Sequence, residues 1–180
     1  MKINELKCDG CPAFYLRTKD QLRKIKQWEK LRENAIEAIG MIRLYILCES
    51  IPANRFFYDL DTVYENKGLR FNIKEELELK SDKDVLRYFD RKGIVLIDCA
   101  LCPLHRLTSQ LTKQTAASIC LKNNNYNFLL KNPEAPIVTI FPKNRGYSPI
   151  EFPLLEARKK AEFPFTDLTG LRQVIEELTK

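Results

Sequence analysis

Residues 43–61 read RLYILCESIPANRFFYDLD, and this stretch decides the fold. Its first part, LYIL at 44–47, is a continuous apolar run typical of a strand that is buried on both faces. Glu49 and Pro52 follow at once, and the aromatic run 56–58 comes next. Ligands of open α/β sheets bind at the carboxyl ends of the strands. The stretch therefore predicts a central strand that ends at a pocket for a planar ring, although a structural ion pair and core packing would explain each residue taken alone.

The rest of the chain alternates apolar strands with amphipathic helices. Strands are predicted at 42–47, 94–98, 136–141 and, as a short fourth, 162–165. Helices are predicted at 17–40, 83–92, 108–122, 149–160 and 167–179 from apolar residues at helical spacing and from capping residues. This alternation indicates a parallel sheet covered on both faces. We expect one α/β domain over residues 1–180, a three-layer α/β/α sandwich around a mainly parallel four-stranded sheet, with residues 1–16 as an extension.

Composition narrows the class of protein. The chain has 180 residues, of which 44% are hydrophobic and 30% charged, which is typical of a globular domain. No apolar run approaches the roughly 18 residues of a membrane span, and the first residues lack the apolar core of a signal peptide. We therefore expect a monomeric cytoplasmic protein with no membrane partner. The net charge of +6 favours a polyanion as partner.

Cysteines form the most distinctive pattern in the chain. The six are Cys8, Cys11, Cys48, Cys99, Cys102 and Cys120. Disulfides are disfavoured inside cells, so metal binding is the better interpretation of a Cys-x-x-Cys pair. Four thiolates from two distant segments suit either zinc or an iron–sulfur cluster. Burial as apolar side chains is the alternative, strongest for Cys48 and open for Cys99, which could also replace Cys102 as a ligand.

Polar residues near the other predicted strand ends are candidates for binding an anion. His105 and Arg106 follow the second strand, on the side where a ligand of an α/β sheet lies. Arg145 stands beside a glycine in NRGY, and free backbone N–H groups near Thr166 could bind an anion at the start of the last helix. Ordinary surface and capping roles are the alternative for each of these residues.

The cysteine order and the opening stretch together resemble the uracil-DNA glycosylase superfamily, over most of the chain from Cys8 to the last helix. Its thermostable iron–sulfur branch has an early Cys-x-x-Cys, a third cysteine after a central strand and a fourth about one helix later. Cys8 and Cys11 match the first pair, Cys102 matches the third ligand and Cys120 the fourth. The resemblance implies a [4Fe-4S] cluster on these four residues, with zinc as the alternative occupant.

The second match is the tract ESIPANRFFYD. Glu49 and Pro52 match the Gly-Glu-x-Pro-Gly motif of that branch, and the tract is closer still to a less characterised branch with Gly-Glu-Ser-Pro-Pro followed by Phe-Phe-Tyr. The resemblance implies that a deaminated base is flipped out of damaged or single-stranded DNA and stacks on Phe57 or Phe56. Glu49 would position the attacking water. The implied base-binding residues are Pro52, Phe56, Phe57, Tyr58 and Thr166, and those for the nucleic-acid backbone are Arg145, His105 and Arg106.

The tract FPFTDLTG at 163–170 departs from the family. The superfamily has a histidine after its last central strand that stabilises the departing base, and this tract contains none. Cys48 also stands where the family has glycine. Two alternatives therefore stay open. One is a non-catalytic nucleic-acid or nucleotide binding protein of the same fold, and the other is a zinc-stabilised interaction module.

Overall fold

The computed structural model describes residues 10–13, 19–51, 56–61, 68–141 and 153–180. Within these residues the strands form one sheet in the order β2–β1–β3–β4, and all neighbouring strands are parallel. The strands are β1 (Leu44–Ser50), β2 (Ile94–Ala100), β3 (Ile137–Phe141) and β4 (Lys159–Pro164). Helices flank the sheet, which confirms the predicted three-layer α/β/α architecture.

Strand β1 lies at the centre of the sheet. It pairs with β2 on one side, from Leu44 opposite Ile94 to Ser50 opposite Ala100, and with β3 on the other side. The chain thus leaves β1 towards one edge of the sheet and later crosses to the opposite side to add β3. Ligands of open α/β sheets bind outside the strand ends where the direction of winding reverses in this way. Here that position lies outside the carboxyl ends of β1 and β3.

The helices and turns occupy the connections between strands. They are α1 (Lys19–Ala38), α2 (Leu69–Glu76), α3 (Asp82–Lys92), a 3₁₀ turn (Leu104–Arg106), α4 (Gln110–Cys120), a π-helical turn (Leu121–Asn125), α5 (Tyr126–Leu129), α6 (Pro153–Arg158) and α7 (Leu171–Leu178). The limits of α3 follow from its sequence. The Ser81 side chain accepts a hydrogen bond from the backbone N–H of Asp84, and Gly93 ends the helix with φ +68°. A Cβ at Gly93 would lie 2.3 Å from the carbonyl oxygen of Met41, so only glycine fits there.

Some predicted boundaries are wrong. Helix α2 was not predicted, and the helix predicted at 108–122 continues through the π-helical turn into α5. Strand β4 begins at Lys159 rather than at 162, because its half-buried alternating residues give a weaker signal than a continuous apolar run. Helix α7 begins at Leu171 rather than at 167, because the Asp167 side chain accepts a hydrogen bond from the N–H of Thr169 and closes a turn instead of capping the helix. Residues 149–152 of the helix predicted at 149–160 lie outside the described residues.

Side chains cover the open edge of β2. The Tyr58 hydroxyl accepts a hydrogen bond from the backbone N–H of Leu96 at 2.8 Å and donates one to its carbonyl oxygen at 3.1 Å. The Asn125 amide donates to the carbonyl oxygen of Asp98 at 2.6 Å. Exposed strand edges pair readily with other chains, so these contacts protect the sheet. They also tie the segment that follows β1 to the strand that carries Asp98.

Candidate functional site

Two acidic residues lie at the carboxyl edge of the sheet. Strand β1 extends to Ser50, three residues beyond the predicted end, because its pairing with β2 continues there and the Ile51 N–H donates to the carbonyl oxygen of Ala100. Glu49 is therefore the penultimate residue of a central strand and only 7% exposed. Asp98, 6% exposed, lies on β2 opposite Cys48. Because Glu49 follows the residue that pairs with Asp98, the two acidic side chains leave the sheet on opposite faces.

Asp98 is a site residue that our sequence analysis missed. Burial raises its pKa to about 7, and the positive charge of Arg32 opposes this effect only in part. Near neutral pH the carboxyl group is therefore present both as a hydrogen-bond donor and as an ionised acceptor. Perturbed carboxyl groups of this kind are concentrated at functional sites. The sequence did contain a signal, because an aspartate ends the apolar run IVLID. Charged side chains are rarely buried unless they are paired, so this position was a candidate for a special role.

Arg32 on α1 is the positively charged residue that acts on Asp98. It is 1% exposed, and its guanidinium group lies 4.2 Å from the centre of the Phe128 ring. Its Nη1 donates to Oδ1 of Asn125 at 3.2 Å, and its Nη2 lies 3.9 Å from Oε1 of Glu29. The Nε and Nη2 groups have no hydrogen-bond partner in the part of the chain that the structure describes. Burial lowers the pKa of Arg32, while the charges of Glu29 and Asp98 raise it.

The aromatic residues after β1 are buried and packed against protein. Phe56 stacks on Trp28 at a centroid distance of 5.4 Å, with the ring planes 16° apart. Phe57 contacts Phe89 at 5.1 Å and Tyr58 at 5.2 Å, and the Tyr58 hydroxyl is bonded to β2. A ring that stacks on a base needs one open face, and Trp28 covers one face of Phe56. The role of these rings in base binding stays a prediction, whereas their contribution to the core is observed.

Arg70 holds the same segment in place from the other side. Its Nη1 donates to the carbonyl oxygens of Phe57 and Asp59, both at 2.8 Å, and its Nε donates to Asp82 at 2.8 Å. The side chain is 1% exposed. Charged hydrogen bonds of this length are among the stronger ones in proteins. The backbone at Phe57 and Asp59 is thus fixed to α2 and α3.

The five described cysteines are all buried thiols. The Cys120 sulfur accepts hydrogen bonds from the backbone N–H of Leu101 at 3.2 Å and from the side-chain amide of Asn124 at 3.6 Å. Two N–H donors on one sulfur fit a thiolate ligand, because cluster and zinc sulfurs accept such bonds. The first donor also brings Cys120 next to the segment of Cys102. Burial, together with the charge of Asp98, raises the pKa of both Cys48 and Cys99 and disfavours their thiolates.

The predicted metal ligands are only partly described. Cys8 lies outside the described residues, and Cys11, on the described part of the predicted extension, is buried in the core. Among the residues given above, no three His, Cys, Asp or Glu side chains are grouped closely enough to hold a metal ion. The predicted four-cysteine site therefore depends on Cys8 and stays a prediction.

The remaining predicted site residues lie at several places. His105 and Arg106 are exposed on the 3₁₀ turn that follows β2, and Thr166 is exposed after β4. Asn72 donates to the carbonyl oxygen of Phe165 at 2.8 Å, which fixes the backbone next to Thr166. Pro52 and Arg145 lie outside the described residues. Glu49 and Asp98 thus lie near the carboxyl ends of β1 and β2 with their side chains on opposite faces, and His105 and Arg106 follow just beyond the end of β2.

Comparisons with known proteins give no relative for this chain. No protein-family model matches it, and no curated protein or solved structure is significantly similar to it. In the described ranges, no helix has the length and apolar character needed to cross a membrane. The function has to be argued from the residues of this chain.

Proposed function

We propose that this protein recognises a base flipped out of DNA and hydrolyses its N-glycosidic bond, as members of the uracil-DNA glycosylase superfamily do. The observation that carries the proposal is the acidic side chain of Glu49, which is only 7% exposed at the carboxyl end of the central strand β1. The strand order supports it, because the winding reverses beside β1. The net charge of +6 suits a nucleic-acid partner.

The carboxyl group of Glu49 suits the positive charge that develops on the sugar. Breaking the bond between C1′ and the base nitrogen leaves positive charge on the sugar and sends the bonding electron pair to the base. The carboxylate of Glu49 stabilises the positive sugar and accepts a proton from the water that forms the new C1′–O bond.

The proposed cofactor has a structural role. Cys8, Cys11, Cys102 and Cys120 would hold a [4Fe-4S] cluster, which would tie the N-terminal segment to the end of α4. The two hydrogen bonds to the Cys120 sulfur support a thiolate there. Iron, sulfide and zinc contents, together with the visible spectrum of anaerobically purified protein, distinguish a cluster from zinc.

A glycosylase assay tests the proposed reaction. Oligonucleotides with uracil, hypoxanthine or xanthine are incubated with the protein and then cleaved with alkali at abasic sites. We expect Glu49→Gln to lower the cleavage rate about 10²- to 10⁴-fold, the range typical of a lost general base. Glu37→Gln, at an exposed position on α1, is the matched control and should cleave like the unchanged protein. Equal cleavage rates in the Glu49 variant and the control would contradict the proposed role of Glu49 in the reaction.

A non-catalytic binding protein of the same fold is the second candidate. One observation favours it: the single histidine of the chain, His105, lies on the exposed turn after β2 and not after the last strand. Binding of the same oligonucleotides with no release of any base would select this candidate over the enzyme.

A further inference from the structure

A row of basic side chains lies on the outer side of α1. Arg23, Lys26 and Lys30 are all exposed and recur at positions i, i+3 and i+7, so they lie on one side of the helix. At 1.5 Å per residue the three residues extend over about 10 Å of the helix. They are called the basic row below.

Ion pairs within the fold do not explain the basic row. Neither Lys26 nor Lys30 has an acidic partner among the described residues. Glu29, which stands between them in the sequence, is buried and lies 3.9 Å from Nη2 of Arg32. Like charges at i, i+4 spacing destabilise a helix, so the fold gains no stability from placing these two lysines side by side. A partner with negative charge would make use of them.

The basic row lies near the carboxyl ends of the strands. Trp28 on α1 stacks on Phe56, which follows the carboxyl end of β1. From Trp28 the helix continues to Ala38, and the chain then enters β1 at its amino end, so α1 runs in the direction opposite to the strands. The part of α1 before Trp28, which carries the first two residues of the row, therefore points towards the end of the sheet at which Glu49 lies.

The inner side of α1 belongs to the core. Ile25, Trp28 and Ile36 on this side are each at most 5% exposed. A basic helix that binds a membrane surface inserts an apolar side between the lipids, and here that side is occupied by the protein's own core. The basic row therefore fits the phosphates of a polyanion in solution better than a membrane surface.

We propose that Arg23, Lys26 and Lys30 form a binding surface for the phosphodiester backbone of a nucleic-acid strand. The identity of this ligand rests on the proposed function, whereas the charge and the position of the surface rest on α1 alone. Cations that contact phosphates bind without regard to sequence and fix the orientation of the strand. A strand whose base enters beside Glu49 would thus be held by neighbouring phosphates along α1.

Salt-dependent binding of a lesion-free oligonucleotide tests the surface. A short fluorescein-labelled single strand is titrated with the unchanged protein and with the double variant Lys26→Gln/Lys30→Gln over a series of salt concentrations. Near 0.1 M salt we expect the double variant to bind about 10- to 30-fold more weakly, because the slope of log affinity against log salt falls by about 0.7 for each of the phosphates that it no longer binds. The control, Lys131→Gln/Lys180→Gln, removes two exposed lysines at the amino end of the sheet and should retain the affinity and the slope.

The outcomes separate the surface from the proposed function. If the unchanged protein does not bind the strand, or if the double variant binds it like the control, the surface is overturned. Because Lys26 and Lys30 are exposed, the double variant should keep the melting temperature of the unchanged protein, so a loss of binding is not a loss of folding.

Two further results bear on the ligand and on the reaction. If the double variant loses binding to vesicles of anionic phospholipid but binds the oligonucleotide like the control, the nucleic-acid partner is overturned. A loss of oligonucleotide binding in the double variant supports the surface even where the unchanged protein releases no base from any substrate, a result that would count against the proposed reaction alone.

Discussion

Arg32 and Arg70 are equally buried, but their guanidinium groups have different surroundings. Arg70 donates three hydrogen bonds of 2.8 Å, two to backbone carbonyl oxygens and one to Asp82. Arg32 donates one of 3.2 Å to Asn125, lies over the ring of Phe128 and leaves its Nε and Nη2 groups without hydrogen-bond partners among the described residues. A buried arginine with strong partners stabilises a fold, whereas one with weak partners adds little net stability. The first holds a turn in place, and the second places charge beside Asp98, which titrates near neutral pH.

Replacing Arg70 should give the largest effect on stability. Arg70→Met leaves the carbonyl oxygens of Phe57 and Asp59 without this donor, and it separates Asp82 from its cation. We expect the free energy of unfolding to fall by about 3 kcal/mol, measured by urea denaturation. Arg87→Met, which removes an exposed arginine from α3, is the control and should change stability little. A loss in Arg70→Met no larger than in that control would contradict the assigned role.

The pH dependence of stability should show the charge on Asp98. Its pKa is raised from 3.8 to about 7 on folding, so the folded state binds more protons than the unfolded state between these values. The stabilisation from the neutral carboxyl group is therefore complete below pH 4 and is lost as the pH rises towards 7. We expect Asp98→Asn to remove this dependence, so that its stability relative to the unchanged protein rises by about 2 kcal/mol between pH 5 and pH 7.

Asp84 provides a control for that measurement. The pKa of its exposed carboxyl is lowered by a hydrogen bond from Ser81, so it titrates below the window in which Asp98 acts. The stability of Asp84→Asn should follow the pH curve of the unchanged protein above pH 5. If the Asp98 and Asp84 variants give parallel curves, Asp98 does not titrate near neutral pH.

Replacing Arg32 should have the smallest effect on stability, which would distinguish it from Arg70. Arg32→Met keeps an apolar side chain over the Phe128 ring. It removes a guanidinium group whose Nε and Nη2 have no hydrogen-bond partner among the described residues. We expect the free energy of unfolding to change by less than about 1 kcal/mol, because a well-packed apolar side chain replaces a poorly paired buried charge without great loss. The same variant should raise the pKa of Asp98, since Arg32 lowers it. A loss as large as in Arg70→Met would mean that the two arginines are equivalent.

The parts of the fold that could be predicted are those in which local sequence and tertiary packing agree. The short apolar runs at 94–98 and 136–141 are strands, as their length and β-branched residues indicate for strands covered on both faces. Helix α3 was predicted almost to the residue because Ser81 and Gly93 mark its ends. Helix α2 was missed because it is short and has little apolar periodicity.

The candidate site was harder to predict because its character depends on burial. Glu49 could be found from its position after an apolar strand, but Asp98 needed its environment before it became distinctive. Arg32 resembles any other basic residue of α1 in the sequence, and only the packing of Phe128 and Asn125 around it reveals a buried charge. The sequence shows which residues stand at a strand end. Their pKa values depend on contacts with residues that are far away along the chain.

The bonds from Tyr58 and Asn125 to the outer edge of β2 have a consequence for assembly. A phenol hydroxyl and a carboxamide occupy backbone positions at Leu96 and Asp98 that a fifth strand would otherwise use. An extended peptide, or the edge of a second copy, therefore meets no continuous row of free donors and acceptors along this described edge. Growth of the sheet at β2 would first have to break contacts that connect the segment after Glu49 with the strand of Asp98. Extending the sheet at β2 would therefore release Tyr58 and Asn125 from the strand that carries Asp98.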